Sequence, residues 1–272
     1  MKKYLIACDI DGTLLNEQGK LDPITIETLR KVSDLGHKVV IATGRPLGGC
    51  LHIYNEIGID NPIITDNGAS IDHPGHIEFA KQRTYIPIKV MKTLFEYSKE
   101  HIESAFFSIE KTVYAYKYNK ELETYFVGLS SGKLIECEFT DLDVEPNGMI
   151  FLINHDFVDK FESWITFQYP ETLSFRRWGN DKNGNVMYEV YLKHTSKASA
   201  LNYLINYFNI DPKNTIAFGD GINDLEMIKE MSFGVAMKNG VPQLKEVAYQ
   251  ITDVTNDEAG LAKYLQKFFN LV

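Results

Sequence analysis

At 272 residues, with 44% hydrophobic and 24% charged side chains, the chain is long and apolar enough to bury a core as one large domain or two smaller ones, which excludes a disordered polymer. A net charge of −9 argues against a nucleic-acid surface, since phosphate backbones are bound by clustered Lys and Arg, but it leaves room for a small phosphorylated metabolite held by a divalent cation and a few N–H groups. Three cysteines without a C-x-x-C pair (Cys8, Cys50, Cys137) suggest neither disulfides nor a thiolate zinc site, and Asp9 cuts the first apolar run too early for a signal peptide, so a soluble cytoplasmic protein with no membrane partner is expected.

In chain order, Lys3 to Cys8 is predicted to be a buried strand. Asp22 to Leu35 follows as a helix, with Ile26, Leu29 and Val32 at helical spacing and Gly36 at its end. Lys38 to Ala42 is a second strand, leading into the turn Thr43–Gly44–Arg45, after which Pro46 can open a helix. Pro62 to Thr65 is a third. Between about Tyr85 and Tyr191 the texture changes to Tyr- and Phe-rich strands, such as Ser104 to Ile109 and Thr112 to Lys117, with helices at Pro87 to Glu100 and Phe157 to Phe167. The strand–helix alternation then resumes: a helix from Ser196, the strand Asn214 to Phe218, and short strands at Phe233 to Ala236 and Tyr249 to Thr252. This pattern predicts an α/β fold, a doubly wound parallel sheet, with an α+β domain inserted in it: residues 1–84 and 192–272 as core, 85–191 as insert.

Chemistry concentrates at the carboxyl ends of the predicted core strands, where open α/β sheets bind ligands. Asp9-Ile10-Asp11-Gly12-Thr13 ends the first strand. Two carboxylates one residue apart can serve as nucleophile and proton donor while Gly12 lets the backbone bend, or they can be a solvated Asp-Gly turn. Gly219-Asp220-Gly221-Ile222-Asn223-Asp224 follows a later strand, and such an oxygen-rich group suits a hard cation such as Mg²⁺ better than a simple helix cap does. Thr43 can donate a hydroxyl, and Lys197, at a helix start, can place an ammonium against phosphoryl oxygens. Cys8 has no histidine placed to activate it and is expected to be a buried strand residue. The seven histidines show no H-E-x-x-H spacing, and His52, His73, His76 and His194 are expected to be surface or turn residues.

These four segments, in this order, resemble the four motifs of the haloacid dehalogenase superfamily. The resemblance spans the whole chain and is nearest to the Cof-type branch, whose large cap is inserted between the second and third motifs. Ile64-Thr65-Asp66-Asn67-Gly68-Ala69 and Val235-Ala236-Met237-Lys238-Asn239 belong to it as well. It implies a Mg²⁺-dependent phosphatase with its cap over the active site. Asp9 would be the nucleophile and Asp11 the acid/base; Thr43, Gly44, Lys197 and Asn223 would bind the phosphoryl group. Asp9, Asp220 and Asp11, the last through its backbone carbonyl, would bind Mg²⁺, with Gly12, Asn223 and Asp224 in support. One departure from the branch is Ala198, where a glycine is usual after the lysine; the role of Lys197 is expected to survive the added methyl. A phosphomutase using the same intermediate and a non-catalytic metal-binding regulatory module are the competing readings. Sugar phosphates, pyridoxal phosphate, nucleotides and flavin mononucleotide all stay open as substrates, and the oligomeric state is open too, a monomer included.

Overall fold

The structure, a computed structural model, describes residues 2–109, 112–119 and 133–271. By its contacts the chain divides into two compact units, Met1–Arg45 with Cys50–Gln82 and Ser196–Val272, and Pro46–Gly49 with Arg83–Thr195.

The first unit opens with β1 (Leu5–Cys8), α1 (Pro23–Asp34), β2 (Lys38–Ile41) and, from Cys50 on, α2 (Leu47–Ile57). Helix α1 begins where Asp22 accepts a hydrogen bond from the Ile24 N–H and Pro23 occupies a position whose own N–H would have no partner. The chain continues through β3 (Ile63–Thr65), β4 (Ser70–Asp72) and β5 (Gln82–Arg83). The third strand departs from a simple parallel ladder. It touches the β2 edge through a parallel bridge from Ala42 to Ile64, but its ladder is antiparallel, with β4, in a separate sheet of order β3-β4-β5. The reason is local: Asp66, Asn67 and Gly68 all have positive φ and turn the chain straight back.

The second unit is built from α3 (Ile88–Ser98), β6 (Ile102–Ile109), β7 (Thr112–Tyr116), β8 (Lys133–Glu136), β9 (Gly148–Ile153), α4 (Val158–Gln168), β10 (Leu173–Asn180) and β11 (Val186–Leu192). Its six-stranded sheet has the order β10-β11-β9-β6-β7-β8, antiparallel apart from β7 with β8. The predicted aromatic residues form its core, with Phe95, Phe139, Phe151, Phe161 and Tyr188 all fully buried.

The chain returns to the first unit with α5 (Lys197–Tyr207), β12 (Thr215–Gly219), α6 (Leu225–Glu230), β13 (Phe233–Ala236), α7 (Pro242–Val247), β14 (Gln250–Ile251) and α8 (Gly260–Phe269). The two α/β blocks join side by side, through β12 and β1, in one parallel sheet of order β14-β13-β12-β1-β2. Leu5, Ala7, Val40 and Ala217 share a cluster with Leu201, Leu204 and Ile205 of α5, while the alternate positions Ile6, Cys8, Val39 and Phe218 are buried too, Phe218 against Tyr264 of α8. Burial on both faces explains why these strands read as unbroken apolar runs. Among the described residues no helix is long and apolar enough to cross a membrane.

Candidate active site

Strands β1 and β12 are neighbours in parallel register, Cys8 beside Phe218, and the Asp9 N–H donates to the Phe218 carbonyl at 3.1 Å. The chain segments carrying Asp9 and Asp220 therefore leave the sheet side by side. After Asp9 the chain makes a wide turn, closed by the Leu15 N–H on the Ile10 carbonyl at 2.9 Å, with Gly12 at φ +70°. A methyl at Gly12 would lie 2.2 Å from Oδ2 of Asp220, so glycine is required by both the backbone and the carboxylate beside it. The same turn is held from outside: Thr13 Oγ1 donates to Asp220 Oδ1 at 3.2 Å, and Asn239 Nδ2 donates to the Gly12 carbonyl at 2.7 Å.

Lys197 enters from the first turn of α5. Ser196 caps that helix, accepting from the Ser199 N–H while the Ser199 hydroxyl accepts from Ser196 N–H, so the start of the helix is tightly defined. The ammonium is fully buried and donates to Asp9 Oδ1 at 2.5 Å and to Asp224 Oδ1 at 2.6 Å. The other oxygen of Asp224 accepts from the backbone N–H groups of Asp220 and Gly221, both at 3.0 Å. Asp224 thus ties the lysine to the Asp220 loop. The Ala198 side chain is buried in the core cluster with Leu201 and Ala7.

The second strand contributes a separate layer. Thr43 is buried, and its Oγ1 accepts from the Arg45 N–H at 3.1 Å, which leaves the hydroxyl hydrogen as a donor. Gly44 runs so close to Asn67 that a methyl would lie 3.0 Å from Asn67 Oδ1, and the same Oδ1 accepts from Asn223 Nδ2 at 3.1 Å.

The structure therefore brings Asp9, Asp220, Asp224 and Lys197 into one cluster, with Thr43, Gly44 and Asn223 on loops joined through Asn67. The side chain of Asp11 does something else. It forms a two-point pair with Arg45, Nε to Oδ2 at 2.8 Å and Nη2 to Oδ1 at 2.5 Å. In the sequence Arg45 stands only as part of the turn after the second strand. The signal that could have found it is its place two residues after Thr43, on the strand end next to the one that carries an exposed aspartate.

Oxygen atoms of Asp9, Asp220 and Asp224 lie within 4.8 Å of one another. Three carboxylates face one ammonium, an excess of two negative charges when all are ionised. The consequences are visible in their acidities. Burial drives the Asp9 carboxyl well above the usual range against the pull of Lys197, and Asp220 is pushed up to about 6 by burial and by the charge of Asp224. Burial alone would lower Lys197, but Asp224 and Asp9 reverse this and raise it, keeping it an ammonium. An all-oxygen donor set short of two positive charges fits one hard divalent cation. Cys8, by contrast, is buried and its thiol is pushed up by burial and by the charge of Asp9, so it is held as an inert thiol.

Known proteins resemble the chain along nearly its whole length. A family model described as haloacid dehalogenase-like hydrolase matches residues 6–265. The chain is 30% identical over 271 residues, 99% of each protein, to the 5-amino-6-(5-phospho-D-ribitylamino)uracil phosphatase YitU of Bacillus subtilis strain 168. Among solved structures it resembles a haloacid dehalogenase-like hydrolase from Bacteroides thetaiotaomicron, with a TM-score of 0.81 and 25% identity over 98% of this chain and all of that one. It also resembles the subclass IIB sugar phosphatase BT4131, with a TM-score of 0.78 and 26% identity over the full length of both. With the family model covering nearly the whole chain and a parallel sheet gathering its motifs at one edge, the chain belongs to the haloacid dehalogenase-like hydrolase family and is one of its phosphatases.

Proposed function

We propose that the chain is a Mg²⁺-dependent phosphatase of small phosphorylated metabolites, acting through an aspartyl-phosphate on Asp9, with phosphorylated sugars and sugar alcohols as its substrate class. The observation that carries this reading is the buried Lys197 ammonium bridging Asp9 and Asp224 beside Asp220. Phosphoryl transfer asks a protein mainly for positioning and for neutralising the charge on three oxygens. Asp9, Asp220 and the backbone carbonyl of Asp11 would hold Mg²⁺, whose charge offsets that of the phosphoryl oxygens and of the carboxylates. The substrate class rests on two relatives named for a ribityl phosphate and for sugar phosphates.

In the first half-reaction an Asp9 oxygen forms a bond to phosphorus as the ester oxygen leaves, and Asp11 gives that oxygen a proton. Lys197 and Thr43 donate hydrogen bonds to the phosphoryl group. In the second, water attacks the aspartyl-phosphate and Asp11 takes its proton, which returns Asp9 and Asp11 to their starting states and releases inorganic phosphate. All the hydrogens on Arg45 are donors, so the Arg45 pair is made by the Asp11 carboxylate, the form needed to take the proton from water. The acid form used first cannot keep both bonds. Asp11 therefore makes the Arg45 pair as the carboxylate between the two half-reactions and gives it up once it has taken the proton from water.

Substrate choice is assigned to the insert, residues 85–191, because the core fixes the reaction class and the rest of the specificity has to come from elsewhere in the chain. The test is phosphate release from a panel that includes hexose phosphates, ribityl phosphates, pyridoxal phosphate, nucleotides and flavin mononucleotide, with Mg²⁺ and with chelator. Turnover of sugar or sugar-alcohol phosphates above the others, lost on chelation, is expected. Full turnover in excess chelator overturns the metal assignment, and a flat panel overturns the substrate class.

A further inference from the structure

The histidines at 73 and 76, expected to be surface or turn residues, converge on one aspartate in the first unit. Asp60 lies between α2 and β3, and His73 follows β4. The intervening Pro74 and Gly75 form a turn that the His76 N–H closes on the His73 carbonyl at 3.1 Å. The two imidazoles stack at 3.8 Å between centroids, tilted by 19°, and the edge of His73 rests on the buried Phe79 at 5.7 Å. Both Nε2 atoms point at the same oxygen, Oδ1 of Asp60, from 3.0 Å for His73 and 2.7 Å for His76.

The far side of His76 makes the arrangement informative. Its Nδ1 lies 2.8 Å from Oε1 of Glu78, a carboxylate that can only accept. A neutral imidazole has one N–H. If Nδ1–H serves Glu78, the Nε2 lone pair faces the Asp60 carboxylate, acceptor against acceptor, and something positive must lie between them. That can be a second proton or a metal ion. A carboxylate behind the non-ligating nitrogen, as Glu78 stands behind Nδ1 of His76, is the arrangement that fixes the tautomer of metal-bound histidines.

We propose that Asp60, His73 and His76 form a second metal site, separate from the phosphatase centre, for a borderline divalent transition ion of the zinc type. Two imidazole nitrogens and one carboxylate oxygen suit zinc, cobalt or nickel, whereas Mg²⁺ takes oxygen donors. The three ligand atoms already lie within 4.8 Å of one another. In a tetrahedral site with bonds of about 2.1 Å the ligand atoms stand roughly 3.4 Å apart, so the 2.7 and 3.0 Å separations would open by about 0.7 and 0.4 Å, and the near-parallel imidazoles would turn out of their stack so that both Nε2 lone pairs meet at the ion. Asp60 is exposed and both histidines are partly so, which leaves the fourth position to water. The ion would clip the segment before β3 to the turn after β4. None of its ligands belongs to the catalytic cluster, so the site stands or falls independently of the proposed phosphatase mechanism.

The test is titration of the full chain with Co²⁺ in excess Mg²⁺, read by visible absorption and reversed with Zn²⁺. One equivalent with the intense bands of a low-coordinate cobalt site is expected, unchanged in Asp220→Asn and lost in His73→Gln and in His76→Gln, both of which keep wild-type phosphatase activity. A wild-type protein that shows no such bands, or bands that survive in both histidine variants, overturns the proposal. As a check that does not depend on the variants folding, two histidine side chains in the wild-type ¹⁵N spectrum should lose their Nε2 signals or shift them on adding Zn²⁺; unshifted histidines also overturn it.

Discussion

Asp9 and Asp11 differ in surroundings as much as in proposed role. Asp9 is buried against an ammonium, while the Asp11 side chain is exposed and held by a guanidinium. Asp9→Asn is expected to abolish the covalent intermediate, because a neutral amide does not attack phosphorus. Asp11→Asn is expected to accumulate it with an aryl phosphate, whose leaving group needs little protonation, and to lower turnover by ~10²–10⁴-fold. Intact-protein mass spectrometry after acid quench distinguishes the two, and a phosphorylated Asp9→Asn protein would falsify the nucleophile assignment. Arg45→Met leaves Asp11 unanchored; kcat should fall on the order of tenfold, the equivalent of ~1.4 kcal/mol, with KM little changed and with partial rescue in Arg45→Lys. The Asp220 carboxyl, pushed up to about 6, carries a pH signature. Its folded value lies above its unfolded one near ~3.9, so in metal-free protein its charge costs stability in full above about pH 6, and the cost fades as pH falls toward the unfolded value. Metal-free Asp220→Asn should therefore melt higher than wild type at about pH 8, by a margin that shrinks on acidification, and saturating Mg²⁺ should reverse the order. Melting curves with chelator and with Mg²⁺ over this range provide the check.

At the level of elements, the site depends on how closely the start of α5 can approach the loop after β3. Gly68, at φ +101°, sits where a methyl would lie 2.1 Å from the Ser196 carbonyl oxygen and 3.0 Å from the Lys197 nitrogen. Gly68→Ala must therefore displace the helix start that aims the lysine, besides straining its own backbone. A loss of ~1–3 kcal/mol in stability is expected, read by denaturant unfolding, together with a fall in kcat larger than that in the cap variant Ser196→Ala, which removes about 1 kcal/mol of helix capping but no space. Comparable activity in the two variants would show that crowding at Gly68 does not reach Lys197. The mismatch between the predicted and observed third strand belongs to this scale as well. A short, mostly apolar segment, Pro62 to Thr65, reads as another parallel strand, yet which ladder it joined was decided by the three positive-φ residues that follow.

For the whole molecule, the division into two units places the aromatic core of the second in a sheet of its own, with its own hydrophobic cluster. If the insert selects substrate, exchanging residues 85–191 for the matching segment of a related phosphatase should carry the donor's substrate ranking with it while turnover of a small aryl phosphate persists. An unchanged ranking would assign selectivity to the core instead. Much of this protein was legible in one dimension. Buried parallel strands produce unbroken apolar runs, helices repeat every 3.6 residues, and the motif residues fall at strand ends because that is where a parallel sheet exposes polar groups. Those are local rules, and the α/β class, Asp9, Asp220, Asp224 and Lys197 followed from them and from the resemblance they support. The remaining features depend on long-range proximity. Lys197 stands 188 residues from Asp9 in sequence, and only the neighbouring of β1 and β12 makes the two carboxylate segments one cluster with it. Arg45 meets Asp11 across 34 residues, and Asp60 meets His73 and His76 across 13 and 16, spacings that carry no periodic signal because a folded chain brings together side chains whose separation along the sequence is arbitrary.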